Sequence, residues 1–395
     1  MRILLVHNRY RSAQPSGENA VVDEEAELLQ ASGHDVERVE VDSDSIAALP
    51  AARRAAVPLQ AVWSRSGSKL VLDAIDRSQP DVVHFHNTFP LLSPAAIRAA
   101  KQTGTPVVLT LHNFRPLCAS GTFLRHGKTC ELCLHRRAPV AALRYGCYRD
   151  SRIASAPLVL MSAVHRALGT WTDHVDAVVF PSRFARDKYA DAGWPQEKLF
   201  VKHNTVRPLT DVRHGSGTGF VAISRLSSEK GLDVLIDAWR RAFPNGEETL
   251  TIIGSGEDEA ALRQRADGQQ SINFRGAQPP LEARAQLASA RALVIPSRCY
   301  EVFPRTIAEA FAAGVPVIAS RLGALAELID DGATGMLVEP ESVEGFAAAL
   351  RHLSESPELA VELGAAAKAA YDTRFSPEQT TSALTDIYTH VLETR

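Results

Sequence analysis

Apolar residues in this chain are grouped in short runs, and stretches with a helical period separate the runs. In the first half, strand-like runs occupy residues 2–8, 35–41, 81–87, 106–113, 176–182 and 198–204, with a helical stretch near 18–32. In the second half they occupy 220–225, 249–256, 271–276, 291–297, 315–320 and 334–339, and helical stretches follow at 341–355, 357–373 and 376–394. Strands that alternate with helices predict parallel sheets with helices on both faces. We therefore predict an α/β fold with two doubly wound sheets.

The length of the chain also indicates two domains. At 395 residues, the chain exceeds the size at which one hydrophobic core usually stops growing. Residues 206–219 are rich in Gly, Pro, Ser and Thr and lack periodicity, which is typical of a linker. We expect domains at 1–205 and 220–375, and a C-terminal helix at 376–395 is a candidate to cross back to the first domain.

The two halves differ in charge. Residues 1–210 hold 26 Lys and Arg against 20 Asp and Glu, net +6, whereas residues 211–395 hold 17 against 26, net −9. Residues 98–152 carry ten Lys or Arg and two acidic residues. Such a basic segment suits an anionic acceptor, a membrane surface or nucleic acid, and a solvated loop explains it equally well.

Membrane insertion is not expected from the sequence. No apolar run approaches the roughly 18 residues that span a bilayer, and the first strand-like run is too short for the core of a signal peptide. A cytoplasmic location is therefore the expectation. Residues 51–75 mix Arg, Lys and Trp63 with apolar positions, so they fit an interfacial helix on anionic lipid or an ordinary domain helix.

Polar residues of one kind end four strands of the first half. These pairs are His7-Asn8, His86-Asn87, His112-Asn113 and His203-Asn204. Ligands of parallel α/β sheets bind at the carboxyl ends of the strands, so these side chains are candidates for a binding site. His84 and His86 invite a metal hypothesis, but with no acidic third ligand expected nearby we do not favour it.

The second half contains residues suited to a diphosphate. Arg225 follows a strand, Lys230 comes five residues later, and a helix is predicted to open at Leu232. A guanidinium, an ammonium and free amides at a helix start together recognise phosphate oxygens. Gly254 ends the next strand and allows close backbone approach to a ligand.

The segment Ser297–Val317 holds two glutamates, Glu301 and Glu309, with seven residues between them. Pro304 suits the first turn of a helix that stops at Gly314, so the amides of Arg305 and Thr306 are predicted to be available to an anion. A carboxylate accepts two hydroxyl donors at once, which makes paired sugar hydroxyls the expected partners of the two glutamates.

These motifs, together with "IIGSGE" and "GALAELIDDGATGMLV", resemble the retaining glycosyltransferases of family 4 over essentially the whole chain. The resemblance implies the GT-B fold, in which two Rossmann-like domains face each other across a cleft. It implies that Arg225 and Lys230 hold the donor diphosphate, that Glu301 contacts the transferred sugar and that Glu309 binds the ribose. The loop of Phe303, Pro304, Arg305 and Thr306 would supply backbone amides to the sugar and phosphates.

The same resemblance extends to the first half. Residues 16–36 resemble the glycine-rich loop and helix of the family, which makes Gly17 a donor-binding candidate and places Glu18 and Asn19 toward the acceptor. Family members keep a His at the position of His112 that contacts the donor sugar. We assign His86, Asn87 and Asn113 to the acceptor side.

The resemblance implies retention of the anomeric configuration without a catalytic metal or other cofactor. No carboxylate is clearly placed as a nucleophile, so we favour front-face attack, in which the leaving phosphate helps to deprotonate the acceptor hydroxyl. The expected catalytic residues are Glu301, His112, Arg225 and Lys230, which position the donor and stabilise the leaving diphosphate. The expected partners are a nucleotide-diphosphate sugar and a carbohydrate or lipid-linked acceptor, with no nucleic acid.

Four of the five cysteines fall within thirty residues: Cys118, Cys130, Cys133 and Cys147. They lie in a basic insertion at about 114–150. Because disulfides are rare in the cytosol, a structural zinc site with four thiolates and a set of unlinked reduced thiols both remain open. Cys299 is expected to be a plain small residue.

Two other classes of protein remain as alternatives. A double-Rossmann oxidoreductase needs a G-x-G-x-x-G turn after an early strand, and HNRYRSAQPSGEN stands there instead. A nucleic-acid-binding protein would use the basic region 98–152, but it would leave the diphosphate residues of the second half without a purpose. The sequence therefore favours the transferase.

Overall fold

The computed structural model describes residues 1–12, 17–208 and 215–394. They form two α/β units, the first comprising Met1–Phe123, Cys130–Thr205 and Pro377–Arg395, and the second Leu124–Thr129 and Val206–Ser376. Residues 209–214 of the expected linker and Ser16 of the expected glycine-rich loop lie outside the described residues.

Elements up to residue 205 alternate strand and helix. In chain order they are β1 (Arg2–Arg9), α1 (Gly17–Ala31), β2 (Asp35–Asp42), α2 (Ala51–Val62), α3 (Arg65–Ser78), β3 (Val82–Phe85), α4 (Ala95–Gln102), β4 (Val107–Thr110), β5 (Leu124–Arg125), β6 (Lys128–Thr129), α5 (Ala141–Tyr145), α6 (Arg152–Ala167), β7 (Ala177–Phe180), α7 (Arg183–Asp191) and β8 (Leu199–Val201).

The remaining elements continue this alternation and end in helices. They are β9 (Phe220–Ile223), α8 (Leu232–Ala242), β10 (Leu250–Ile253), α9 (Glu259–Arg265), β11 (Ile272–Gly276), α10 (Pro280–Ser289), β12 (Ala292–Ile295), α11 (Arg305–Ala312), β13 (Val317–Ser320), α12 (Ala324–Leu328), β14 (Gly335–Val338), α13 (Val343–Glu355), α14 (Pro357–Arg374) and α15 (Pro377–Glu393).

Each unit is built on a six-stranded sheet whose paired strands are all parallel. The first has the order β2-β1-β3-β4-β7-β8, and the second has the order β11-β10-β9-β12-β13-β14. The strand order reverses between β1 and β3 in the first sheet and between β9 and β12 in the second. Ligands of open α/β sheets bind at such switch points. The predicted α/β fold with two doubly wound sheets is confirmed.

The cores explain why these runs form strands. Every residue of β3, β4 and β7 is buried, as expected for parallel strands covered by helices on both faces. In the first unit, Leu384, Tyr388 and Val391 of α15 pack in the same core as Ile3 and Leu5 of β1. The helix α15 therefore packs against the sheet of the first unit, although it follows the second unit in sequence.

The single stretch expected at 51–75 is two helices. The α2 helix ends at Val62, and Ser64 caps α3 by accepting a hydrogen bond from the backbone N–H of Gly67. The first backbone N–H groups of a helix have no acceptor within the helix. The Ser64 side chain supplies one, so a new helix begins after it. Among the helices of the described ranges, none is both long enough and apolar enough to cross a membrane.

Candidate active site

The switch point of the second unit holds an ion pair between two predicted site residues. Lys230 lies in a short 3-10 helix after β9, and Glu301 lies in the loop after β12. The Nζ of Lys230 lies 2.6 Å from Oε1 of Glu301, and the hydroxyl of Ser297 donates to the same oxygen at 2.8 Å. The fold therefore brings together the cation and the carboxylate that the sequence assigned to phosphate and sugar.

Charge stabilises both members of this pair. Burial opposes ionisation of Glu301, but the Lys230 ammonium, the hydrogen bond from Ser297 and the charge of Arg225 together outweigh it and hold the pKa of Glu301 below its usual range. Burial also opposes the charged form of Lys230, and Glu301 outweighs that effect and raises the pKa of Lys230. Both groups are therefore charged near neutral pH, which a site for phosphate and sugar hydroxyls requires.

Arg225 lies at the same strand end and is more exposed. Its Nη2 lies 3.0 Å from Oε1 of Glu229, and its side chain is 57% exposed. An exposed pair of this kind contributes little to stability, so Arg225 remains available to a ligand.

Gly254, a predicted donor-binding residue, and Gly231, next to Lys230, both lie close to the backbone of another segment. Gly254 has φ +139°, and a Cβ there would lie 1.8 Å from the carbonyl oxygen of Ser224. Gly231 has φ +66°, and a Cβ there would lie 2.1 Å from the carbonyl oxygen of Pro296. The glycine at 254 is therefore required for close packing of the β10 end against the β9 end, a reason that differs from the ligand approach expected from the sequence.

The α11 helix begins after Pro304, as predicted, with Arg305 and Thr306 in its first turn. The carboxylate of Glu309 in this helix lies 3.1 Å from Arg284 and 3.4 Å from Arg305.

In the loop before this helix, the ring of Phe303 packs edge-on against Phe375, with 5.7 Å between the ring centroids. The sequence did not point to Arg284 or Ser297, because nothing in their local patterns distinguishes them from surface residues.

The switch point of the first unit gathers histidines from three strand ends. The Nδ1 of His86 lies 3.0 Å from Nε2 of His112, and Nε2 of His7 lies 2.9 Å from Oδ1 of Asn19. Burial holds the pKa of His112 well below its usual range and lowers the pKa of His7 to about 3, so both rings are neutral. Asn19, expected to face the acceptor, also accepts from the backbone N–H of Tyr10 at 3.2 Å.

An acidic residue from a distant part of the sequence lies beside His84 and His86. Oε1 of Glu25 is 3.4 Å from Nδ1 of His84 and 3.2 Å from Nε2 of His86, so the expected lack of an acidic third ligand was wrong. These three residues form a group whose ligand atoms all lie within 4.8 Å of one another. The carboxylate is already paired, however, because Nζ of Lys202 lies 2.5 Å from Oε2 of Glu25.

A pocket next to this switch point is lined by four predicted acceptor-side residues and by His112, which was predicted to contact the donor sugar. Glu18, His86, Asn87, His112 and Asn113 all contribute to its wall, and so do Phe89, Arg115 and Trp171. Burial raises the pKa of Glu18 to about 7, although the hydroxyl of Tyr10 donates to its Oε2 at 3.0 Å. A carboxyl group with such a pKa exchanges a proton near neutral pH.

The two asparagines in this pocket wall brace loops. The Nδ2 of Asn87 donates to the carbonyl oxygens of Asn8 and Phe89, at 2.7 and 2.9 Å. The Oδ1 of Asn113 accepts from the backbone N–H of Arg115 at 2.9 Å. An acceptor would therefore bind the hydrogen-bonding groups of Asn87 and Asn113 that these internal contacts leave unused. Gly17 is the first residue of α1, and the expected tight loop before it lies outside the described residues.

The cysteine insertion contains a small antiparallel hairpin of β5 and β6, and Cys130 follows it directly. All five cysteines of the chain are thiols rather than disulfides. Burial raises the pKa of Cys133 to about 11, with further contributions from Cys118, Cys147 and Cys130. The four thiols are therefore neighbours, but within the described ranges they are not among the groups whose ligand atoms lie within 4.8 Å of one another.

Comparison with known proteins agrees with the fold and with the second-unit motifs. Residues 15–208 match the family model described as Glycosyltransferase Family 4, and residues 217–356 match that described as Glycosyl transferases group 1. Glycogen synthase of Mycobacterium tuberculosis is 29% identical over 332 residues, 82% of this chain and 72% of that protein. The amylovoran biosynthesis glycosyltransferase AmsK of Erwinia amylovora is 31% identical over 210 residues, 49% of this chain and 51% of AmsK.

Solved structures show the same fold. Anabaena Alr3699/HepE in complex with UDP has a TM-score of 0.66 at 18% identity, and covers 99% of this chain and 100% of its own. Sucrose-phosphate synthase from Thermosynechococcus elongatus has a TM-score of 0.70 at 16% identity, with 100% of both chains covered.

The chain is an enzyme of the glycosyltransferase class with the GT-B fold. It belongs to the glycosyltransferases of family 4, as its motifs implied. The matches do not favour the oxidoreductase or the nucleic-acid-binding alternative.

Proposed function

We propose that the chain transfers a sugar from a nucleotide-diphosphate donor to a hydroxyl of a carbohydrate acceptor. The observation that carries the proposal is the Lys230 and Glu301 ion pair of 2.6 Å at the switch point of the second sheet. A nucleotide sugar presents phosphates next to sugar hydroxyls, so it requires a cation and a carboxylate side by side. The presence of UDP in the similar structure of Alr3699/HepE supports this donor class.

The donor-side residues divide along such a ligand. Arg225 and Lys230 would hold the diphosphate together with the first amides of α11, at Arg305 and Thr306. Glu301 would accept hydroxyls of the transferred sugar, and Glu309 would accept those of the ribose. Binding of the diphosphate lets these groups stabilise the charge that develops on the leaving group.

Transfer with retention of configuration would proceed by front-face attack. The bond between the anomeric carbon and the donor phosphate breaks, the acceptor oxygen bonds to that carbon on the same face, and the acceptor's proton passes to the leaving phosphate. No metal ion or other cofactor takes part in that chemistry. His112 would hydrogen-bond the donor sugar. Proton NMR of the product tests the stereochemistry, since an α-linked donor must give an α-linked product, and a β-linked product contradicts the mechanism.

The acceptor would be a growing polysaccharide, a glycoside or a lipid-linked sugar. AmsK takes part in amylovoran biosynthesis, and another relative is a phosphatidylinositol monomannoside mannosyltransferase that is 29% identical over 234 residues. The first-unit pocket offers Glu18 and Asn113 to acceptor hydroxyls and Arg115 to an anionic group. The Nε and Nη1 atoms of Arg115 have no hydrogen-bond partner in the described ranges.

A peripheral position on the inner, cytoplasmic face of a membrane is proposed from exposed apolar side chains. Leu59, Val140, Ile153 and Leu160 are exposed on α2, α6 and the segment that leads into α5, and α6 packs against both α2 and α5. The surrounding segment is basic, which suits anionic lipid. Ile153→Glu should reduce sedimentation with vesicles that contain phosphatidylglycerol, whereas Leu281→Glu, at a similarly exposed site in α10, should not. Equal sedimentation of both variants contradicts this position.

A structural zinc ion bound by Cys118, Cys130, Cys133 and Cys147 is proposed from their spacing and their common location. Binding would draw the four thiols closer than they lie in the structure and would brace the hairpin of β5 and β6. Metal analysis of the purified protein should find one zinc ion per chain, and the ion should be lost from a Cys130→Ser, Cys133→Ser variant. A metal-free protein of full stability contradicts the zinc site.

The decisive experiment is a screen of nucleotide sugars for acceptor-dependent release of the nucleoside diphosphate. One donor should give saturable turnover that Glu301→Ala abolishes. Lys69→Ala, in an exposed pair with Asp73 on α3, is the control and should turn over like the original protein. Failure of every donor and every nucleoside diphosphate to bind contradicts the proposal.

A further inference from the structure

The pocket of the first unit contains an arginine that has no ion-pair partner among the described residues. Arg115 lines this pocket, and the Nε and Nη1 atoms of its guanidinium are buried without a hydrogen-bond partner. An arginine side chain stays charged in a protein, and a buried donor without an acceptor costs free energy. A ligand that brought oxygen atoms to this guanidinium would remove that cost.

Neighbouring residues hold the guanidinium in place without accepting from it. Its Cζ lies 4.4 Å from the centroid of the Phe89 ring and 5.9 Å from that of Tyr148. A ring over the face of a guanidinium attracts its charge and leaves the N–H groups in its plane free for an acceptor. Phe89 is fixed in turn by Asn87, which accepts from its backbone N–H and donates to its carbonyl oxygen, both at 2.9 Å. The donors of Arg115 are therefore preorganised.

The carboxyl group in the same pocket is bound to a hydroxyl rather than to Arg115. The Oε2 of Glu18 accepts from the hydroxyl of Tyr10 at 3.0 Å. Burial raises the pKa of Glu18 to about 7, although the charge of Arg115 opposes this. Near neutral pH a large part of this carboxyl group is therefore uncharged, so Glu18 does not neutralise Arg115. The pocket keeps a positive charge that suits an anion.

The rest of the pocket wall suits a small polar molecule that carries the anion. Phe89 and Trp171 provide aromatic surface, and Asn113 adds an amide. Aromatic walls with a few fixed polar groups are typical of sites for small ligands. The second unit has its own cations for a donor diphosphate, Arg225 and Lys230, so Arg115 is left for another ligand.

We propose that Arg115 binds an oxyanion of the acceptor, either a phosphate ester or a carboxylate on the sugar that is glycosylated. Arginine recognises both groups because its N–H groups can contact two oxygens of one anion. Transfer takes place at a hydroxyl, so the oxyanion is bound and not altered. That the oxyanion belongs to an acceptor rests on the proposed function, whereas its binding in the pocket does not.

NMR of the indole N–H groups of the full chain tests the binding, and Trp171→Phe identifies the signal of Trp171 in the pocket wall. Glucose 6-phosphate and glucuronate are the charged probes, and glucose is the neutral one. At least one charged probe should shift the Trp171 signal saturably and bind about tenfold or more tightly than glucose. A response to glucose 6-phosphate alone assigns the site to phosphate, and a response to glucuronate alone assigns it to carboxylate.

The variant Arg115→Met should weaken binding of the charged probe by about 10- to 100-fold, the range for hydrogen bonds to a charged group. Arg149→Met is the matched control. Arg149 also lies over the ring of Tyr148, at 5.3 Å, but it is exposed and is not part of the pocket wall. The control should bind both charged probes like the original chain.

Transfer assays give the second readout, with methyl glucoside, its 6-phosphate and methyl glucuronide as acceptors. The ratio of kcat/KM for the preferred charged acceptor to that for the neutral one should fall by about 10- to 100-fold in Arg115→Met. Arg115→Lys should recover part of the ratio, because an ammonium keeps the charge but not the planar fork. Both acceptors are measured on the same protein, so a loss of folded protein cancels from the ratio.

Two results would overturn the inference: no binding of either charged probe in the pocket, or equal affinities of the original chain and Arg115→Met. A transferase that prefers neutral acceptors would also overturn it and leave the proposed function intact. Binding that depends on Arg115 in a protein that accepts no nucleotide sugar supports the oxyanion site and contradicts the proposed function alone.

Discussion

The ammonium of Lys202 and the carboxylate of Glu25 form a buried ion pair of 2.5 Å between residues 177 positions apart in sequence. Lys202 follows β8 at one edge of the first sheet, and Glu25 lies in α1. The side chains are 3% and 4% exposed, so water screens neither charge. The pair is therefore favourable only as long as both partners are present.

Removal of Lys202 alone should destabilise the protein strongly. Lys202→Met leaves Glu25 ionised or forces it to bind a proton in a dry site, and we expect the free energy of unfolding to fall by about 3–5 kcal/mol. The paired variant Glu25→Leu, Lys202→Met should recover a large part of that loss, since it leaves no buried charge. Urea unfolding followed by circular dichroism measures both. If the loss in the paired variant equalled the sum of the losses in Glu25→Leu and Lys202→Met alone, the two residues would not be a coupled pair.

Lys202 and Glu25 also show why sequence reasoning missed this buried ion pair. Glu25 lies among the buried residues Val21, Val22, Ala26 and Leu29 of α1, and a charge within an apolar helix face is a signal that could have been used. Its partner could not be identified in this way, because any of the polar residues at the strand ends could have met it. The pairing depends on sheet order, and sheet order follows from contacts between residues far apart in the chain.

Replacement of Gly254 should cost more than replacement of an open glycine. In Gly254→Ala the new Cβ would lie 1.8 Å from the carbonyl oxygen of Ser224, so the ends of β9 and β10 must separate. Gly268 has φ +79° with nothing within 4 Å of an added Cβ, and Gly268→Ala is the control. We expect about 1–2 kcal/mol from the backbone strain in the control and at least about 3 kcal/mol for Gly254→Ala, where steric overlap is added. Thermal and urea unfolding of both variants measure the difference, and equal losses would show that the contact is relieved easily.

The strands of the two six-stranded sheets were predictable because each follows from a local run of apolar residues. The helices expected at 341–355, 357–373 and 376–394 are observed at Val343–Glu355, Pro357–Arg374 and Pro377–Glu393. The prediction was wrong at 51–75, where Ser64 caps a second helix, because a serine within a helical period looks like an exposed surface position. The sequence motifs predicted Lys230 and Glu301 as site residues. Their direct contact became evident only when β9 and β12 proved to be neighbours in the sheet.

Glu18 should make stability depend on pH. Burial raises its pKa in the folded protein to about 7 from an ordinary value of 4.5, so the folded state binds this proton more tightly than the unfolded state. The stabilisation is complete below pH 4.5 and is lost as the pH rises through about 7. The loss is on the order of 3 kcal/mol. Glu18→Gln should abolish this dependence between pH 5 and pH 8.

The exposed Glu282 of α10 provides the matched control for Glu18. Glu282→Gln should leave the difference in unfolding free energy between pH 5 and pH 8 unchanged, whereas Glu18→Gln should reduce it. The measurement is a pair of urea titrations for each protein. If Glu18→Gln and Glu282→Gln gave the same pH dependence as the original chain, the carboxyl of Glu18 would not hold its proton in the folded state.

Lys230 should be required for turnover beyond its contribution to stability. Its ammonium is paired with Glu301 at 2.6 Å, and in transfer it would stabilise the charge on the departing diphosphate. Lys230→Ala should lower kcat by about 10²–10³, the typical effect of losing one preorganised donor at a developing anion. Calorimetric titration should also show weaker binding of the nucleoside diphosphate.

The effect of Lys230→Ala on turnover must be separated from its effect on folding. The variant leaves the buried carboxylate of Glu301 unpaired, so unfolding free energies must be measured alongside, and kinetics must be run well below the transition temperature. The Lys69→Ala control should keep both kcat and nucleotide affinity. A folded Lys230→Ala variant with the kcat of the original protein would remove Lys230 from the catalytic set and leave Arg225 as the cation that faces the phosphates.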